Sequence, residues 1–249
     1  MELVLLTSLG VGGATVIGAL IGFLFKRLSH KFSDIVLSFA AGVMLAAAVL
    51  GLIIPSLEYG GRLGILTTVA GIFAGAVFLG AIDKIVPHLH KLATPDDTEK
   101  HKNMELNRVL LFVSAIAIHN LPEGIAAGVG FGTEDITGAL FIAGGIALQN
   151  LPEGMVIIAP MLAAGVKPGR TFLIAAATGL VEVVGTFIGY FAGFSEFILP
   201  FALAFAGGTM LYVISDEMIP ETHAHGHQKG ATYALLFGFA LMLAFDFLL

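Results

Sequence analysis

The chain has 249 residues, 57% of them hydrophobic and only 12% charged, with a mean hydropathy of +0.95 and a formal net charge of −6. A soluble domain carries about 25% charged residues, so this chain could not cover itself with a polar surface and reads as an integral membrane protein. It has no Cys, which excludes disulfides and thiolate metal ligands and leaves His, carboxylate, amide and thioether groups for any metal site.

Apolar stretches long enough to cross a bilayer, about 20 residues each, recur eight times. They cover about 3–25, 33–56, 63–86, 107–130, 137–163, 171–192, 197–220 and 231–249. The expected fold is all-α, with eight transmembrane helices in a single transmembrane domain spanning 1–249. The first span does not read as a cleavable signal peptide, because no basic residue precedes it and Lys26, Arg27 and Lys31 follow it directly. Those charges predict a cytoplasmic end there. With eight spans and an outside N-terminus, eleven of the 12 basic residues fall inside and only Arg62 outside. Both termini are then expected outside, in a prokaryotic inner (plasma) membrane. The one long connection, 87–106 ("PHLHKLATPDDTEKHKNMEL"), is polar and reads as a cytoplasmic loop. The 32 Gly, with GxxxG spacings at Gly18/Gly22, Gly71/Gly75, Gly124/Gly128 and Gly185/Gly189, read as packing notches.

Depth is the informative coordinate. Met44 falls at the middle of span 2, His119 and Asn120 at the middle of span 4, Asn150 at the middle of span 5, and Glu182 near that of span 6. Intramembrane ionisable residues are costly and mark pathways or sites. "HNLPEG" (119–124) returns as "QNLPEG" (149–154). Within each copy, His119 or Gln149 shares a helix face with Glu123 or Glu153, and Asn120 or Asn150 is its neighbour. A short loop joins the two spans, so they are expected to be antiparallel, with His119 level with Glu153 and Glu123 level with Gln149. Pro122 and Pro152 predict kinks that leave the carbonyls of Ile118 and Leu148 without their usual partners. Such breaks are tolerated where they line a cavity. Carboxylates facing one dry cavity repel, and a divalent cation relieves that. Oxygen ligands with one imidazole suit Zn²⁺, Fe²⁺, Mn²⁺ or Cd²⁺, and Met44 adds a soft ligand.

A second cluster is expected at the inner mouth. Asp83, His88 and His90 end span 3, and Asp216, Glu217, Glu221, His223, His225 and His227 end span 7. It suggests transient metal capture; for His225 and His227 a solvated, weakly buffering loop is an equal reading.

These motifs, with "SFAAGVMLAA" (38–47), "GLVEVVG" (179–185) and "YVISDEMIPETH" (212–223), resemble the ZIP (Zrt/Irt-like protein) family of divalent metal transporters over essentially the whole chain, and its bacterial GufA-type branch in particular. The resemblance implies eight spans, outside termini, metal movement into the cytoplasm and, often, a homodimer. It also implies a binuclear site. One ion would take His119, Glu123, Gln149 and Glu153 with Met44 nearby; the other would take Asn120, Glu123, Asn150, Glu153 and Glu182. Relatives are thought to slide spans 1, 4, 5 and 6 against the rest. Many relatives carry His where this chain has Gln149, and many eukaryotic members have a long His-rich cytoplasmic tract that it lacks.

The expected function is uptake of divalent metal, bound as cargo with no cofactor, by a protein that is not an enzyme and binds no nucleic acid. Its partners are the metal ions and the lipid bilayer. An intramembrane metalloprotease would need HExxH or a comparable pair of histidines, which is absent. An anion carrier would want a basic residue at mid-depth, and all twelve lie at span ends or in loops. A proton or sodium pathway remains the alternative.

Overall fold

A computed structural model describes residues 1–25, 29–92, 100–133, 135–193 and 195–248, with side chains described throughout except for Asp83, 85–112 and Ala115. The described residues are helical, without strands. The elements are α1 (Glu2–Leu24), α2 (His30–Ala46), α3 (Ile54–Tyr59), α4 (Gly64–Leu92), α5 (Lys100–Val129), α6 (Ile136–Ala163), α7 (Pro168–Gly193), α8 (Leu199–Val213), α9 (Ile219–Thr222) and α10 (Gln228–Leu248). Among the described residues, seven segments are long and apolar enough to cross a membrane, and the protein is an integral, multi-pass membrane protein. Large apolar side chains such as Phe73, Val77, Leu180 and Phe237 point outward. That pattern suits surroundings of hydrocarbon, where only closed backbone hydrogen bonding is tolerated.

Local chemistry sets several helix ends. Ser29 caps α2 by accepting from the Phe32 N–H at 3.2 Å, and Asp135 caps α6 by accepting from Gly138 at 2.9 Å. Gly165, with φ 81°, follows the end of α6 in the left-handed conformation that glycine adopts freely. The expected loop 87–106 is shorter than the sequence suggests. Helical backbone runs on to Leu92 and resumes at Lys100, leaving 93–99 outside the described residues.

Irregular backbone lies away from the two repeated motifs. α5 is continuous through Pro122, and α6 through Pro152 and Pro160. The helices widen instead into π turns at Ala47–Ile53, between α2 and α3, and at Ile214–Met218, between α8 and α9. Each π turn ends just before a proline, Pro55 or Pro220, whose missing N–H the wider turn accommodates.

The helices pack as two groups. α1 lies against α6 and α7, and α5 against α7; separately, α4 lies against α8 and α2 against α10. Within each group, backbones touch through glycine. A Cβ on Gly12 would strike the carbonyl of Gly179, and one on Gly179 would strike Gly12 in return. In the other group Gly75 meets Phe205, and Gly42 meets Leu235, in the same way. Between the groups the contacts are side-chain ends: Gly51 faces Ile142, and Gly145 faces Met242 and Ala47. The main apolar core, with Met44, Ala47, Leu52, Ala126, Ile146 and Met210, fills that seam.

Gly154→Val is expected to cost about 1–3 kcal/mol or more, the range for overpacking, because its Cβ would meet the backbone carbonyl of Thr15. Gly144→Ala, where nothing lies within 4 Å, should leave thermal unfolding in detergent unchanged or slightly raised. Equal melting of the two variants would refute the notch reading.

Candidate metal centre

Each repeated motif places its glycine against a second helix. Gly124 on α5 allows the backbone of α7 to approach at Glu182, and Gly154 on α6 allows α1 to approach at Thr15. The correspondence continues at a constant register. Gly185 of α7 meets Leu121 and Gly189 meets Ile125 on α5, while Gly18 of α1 meets Leu151 and Gly22 meets Met155 on α6. The pair α5/α7 is thus repeated as α6/α1, with the two copies running in opposite directions, the inverted-repeat construction common in transporters.

Glu182 sits where the four helices meet, fully buried. Its Oε1 accepts from Thr15 Oγ1 at 2.7 Å and from Asn120 Nδ2 at 2.5 Å, and its Oε2 accepts from Asn150 Nδ2 at 2.5 Å. The second hydrogen of the Asn150 amide goes to the Val11 carbonyl at 3.2 Å. Thr15 and Val11 are partners that a span-by-span reading misses. A signal was available: "GGATVIGALIG" (12–22) aligns with "GLVEVVGTFIG" (179–189), which puts Thr15 opposite Glu182.

His119, Asn120, Glu123, Gln149, Asn150, Glu153 and Glu182 are all buried. The charges of Glu153 and Glu182 are near enough to act on Glu123. Gln149 lies beside Glu123, but not in hydrogen-bond geometry. The antiparallel expectation holds, since His119 and Glu153 stand together on one wall of the same cavity. Met44 is fully buried in the apolar seam between the two groups.

The acceptors left over are informative. Both oxygens of Glu123, the Oε1 and Nε2 of Gln149, and the Oδ1 atoms of Asn120 and Asn150 are buried without hydrogen-bond partners. Buried polar groups are almost always satisfied. Among the described residues, no three His, Asp or Glu side chains stand close enough together to hold a metal ion by themselves.

The inner-mouth cluster divides. His119 Nε2 lies 2.8 Å from Glu217 Oε1, within ion-pair range though outside hydrogen-bond geometry. Glu217 therefore joins the mid-depth site, because the π turn at 214–218 sits level with it. A cavity of about 420 Å³ is lined by His119, Glu153, Asp216, Glu217 and Glu221. His223 is engaged structurally, with Nδ1 2.9 Å from the Ile219 carbonyl and Nε2 3.3 Å from Thr232 Oγ1. His225 pairs with buried Asp34 at 3.0 Å and stacks on His30, so it belongs to a link between α2 and the α9–α10 turn. His227 lies in that same turn, between α9 and α10. The side chains of Asp83, His88 and His90 lie outside the described residues.

Asn150→Leu should remove one donor from Glu182 and leave a buried carboxylate oxygen unmet, a loss of about 1–3 kcal/mol. Thermal unfolding of the purified protein checks this, and a wild-type midpoint would count against the network.

Residues 93–246 match the family model described as ZIP Zinc transporter. The chain is 39% identical to zinc transporter GufA of Myxococcus xanthus, over 97% of both chains. It is 38% identical to zinc transporter ZIPB of Bordetella bronchiseptica, over 94% of this chain and 77% of that one. It is 34% identical to zinc transporter ZupT of Chlorobium chlorochromatii, over 94% of this chain and 93% of that one. The chain belongs to the ZIP family, on its GufA-type branch.

Proposed function

We propose that this protein carries divalent transition-metal ions, Zn²⁺ foremost, across the membrane into the cytoplasm. The relatives named as zinc transporters support the cargo. The observation that carries the reading is the set of buried, unpartnered acceptor oxygens on Asn120, Glu123, Gln149 and Asn150. Acceptors without donors, deep in an apolar medium, are the complement of a cation. The metal is cargo, and the protein makes and breaks no covalent bond.

In this reading α5, which carries the first motif, is the fourth of eight spans in one transporter domain, in a prokaryotic inner membrane with both termini outside. The distribution of Lys and Arg supports that topology. One ion takes His119, Glu123, Gln149 and Glu153, with Met44 on its apolar side; a second takes Asn120, Glu123, Asn150, Glu153 and Glu182. Pro122 and Pro152 free the carbonyls of Ile118 and Leu148 beside these ligands. An imidazole beside carboxylates would also serve a proton pathway; the relatives named as zinc transporters favour the metal reading.

The cavity of about 420 Å³ favours release on the inner side, past Asp216, Glu217 and Glu221. At the other end the cavity bounded by Pro55, Glu58 and Asp135 holds only about 60 Å³. Glu217, on the second helix group, competes with the ion for His119. Glycine-locked backbones within each group, and side-chain ends between them, suit a slide of α1, α5, α6 and α7 against the remainder. No backbone interdigitation has to be undone.

Protein reconstituted into liposomes should take up Zn²⁺ or Cd²⁺, and Glu123→Ala/Glu153→Ala should abolish it. Uptake that persists in the double variant would sink the site assignment. Protons and metal share the same lone pairs, so lowering the pH should weaken apparent affinity, and raising it should restore affinity. Uptake that strengthens steadily with acidification would contradict direct ligation.

A further inference from the structure

We infer that Thr15, on α1, is a positioning residue of the metal site: its hydroxyl fixes the Glu182 carboxylate that turns the amide oxygens of Asn120 and Asn150 toward the cargo. The inference rests on the transport reading above, and it adds a residue from a helix with no ligand of its own.

Three observations carry it. The first is the unusual bond that Thr15 makes. Hydroxyls in apolar helices commonly return to their own backbone, and Thr178, Thr186 and Thr209 do so, donating to Ala175, Glu182 and Ala206 carbonyls at 2.7–2.9 Å. Thr15 is 1% exposed, and its hydroxyl instead crosses to Glu182 Oε1 at 2.7 Å.

The second is the direction of the amides. Asn120 and Asn150 both donate to the Glu182 carboxyl oxygens, so both Nδ2 atoms turn toward it and both Oδ1 atoms turn away. Those Oδ1 atoms are buried and unpartnered, as are both oxygens of Glu123. One carboxylate thus presets two neutral oxygen ligands. Without Thr15, the carboxyl group keeps the Asn120 and Asn150 donors and loses one of the three hydrogen bonds that set its plane.

The third is the inverted repeat. It places Thr15 on α1 at the position that Glu182 occupies on α7, each beneath the glycine of one motif. A side chain at that position is held against the motif backbone, so small changes in it reach the ligands directly.

The test uses the full-length protein. Zn²⁺ and Cd²⁺ are titrated calorimetrically, and uptake is measured in liposomes, for wild type, Thr15→Val and Thr15→Ser. Val keeps the shape and removes the donor; Ser restores it. Loss of a group that orients metal ligands lowers affinity about 10–100-fold. Thr15→Val should show that loss and a matching rise in transport KM with maximal rate little changed, and Thr15→Ser should return both toward wild type. A lowered melting temperature with unchanged affinity and KM would make Thr15 a structural brace and overturn the inference. If Thr15→Val is not recovered folded, a crystal structure of the Zn²⁺-loaded wild type decides. A retained Thr15–Glu182 bond with both amide oxygens facing the ion supports the inference, and a broken bond overturns it. Wild type that takes up no divalent metal refutes the transport reading itself, whereas wild-type uptake with an indifferent Thr15→Val refutes only this inference.

Discussion

A carboxylate at the centre of a helical bundle, away from water, has to be met by donors that the protein itself supplies. Glu182 is met by a hydroxyl from α1 and by amides from α5 and α6, while it belongs to α7. That requirement ties four helices to one point. They can reach it only if their backbones come closer than ordinary side chains permit, and glycines at the crossings make this possible. The density of glycine in the chain is thus linked to the burial of a charge.

The same demand separates the molecule into parts of different character. In the Glu182 group, packing is backbone to backbone and polar atoms hold the centre. α2, α4, α8 and α10 form the other group, where the π turns before Pro55 and Pro220 are found. The second of these turns carries Asp216 and Glu217, and Glu217 reaches His119 across the seam. The seam itself is filled by Ala, Ile and Met side chains, which make dispersion contacts without register. The His119–Glu217 pair thus couples the state of the proposed site to the relation between the groups.

Amide side chains give the proposed site its tone. Asn and Gln present either a donor or an acceptor, and neighbours decide which. Here the decision for Asn120 and Asn150 belongs to Glu182, so the carboxylate shapes the site through its neighbours' orientation as well as through its charge. Gln149, with both ends unpartnered, has no such constraint. The imidazole of the proposed site is left to the α5 side alone.

The sequence by itself determined the membrane class, the apolar spans, the paired motifs and the buried residues of the site, because hydropathy and helical spacing act locally and survive without tertiary knowledge. It also held the α1/α7 correspondence, but a lone threonine in an apolar span carries no charge to draw notice. Only the tertiary structure decided that Thr15 meets Glu182, that Glu217 reaches His119, and that His223 and His225 are engaged elsewhere. It also put the widened turns before Pro55 and Pro220, away from the repeated motifs. Each of these depends on how far helices remote in sequence rotate and approach, and that distance is set by glycine contacts between two chain segments at once, which no single segment encodes.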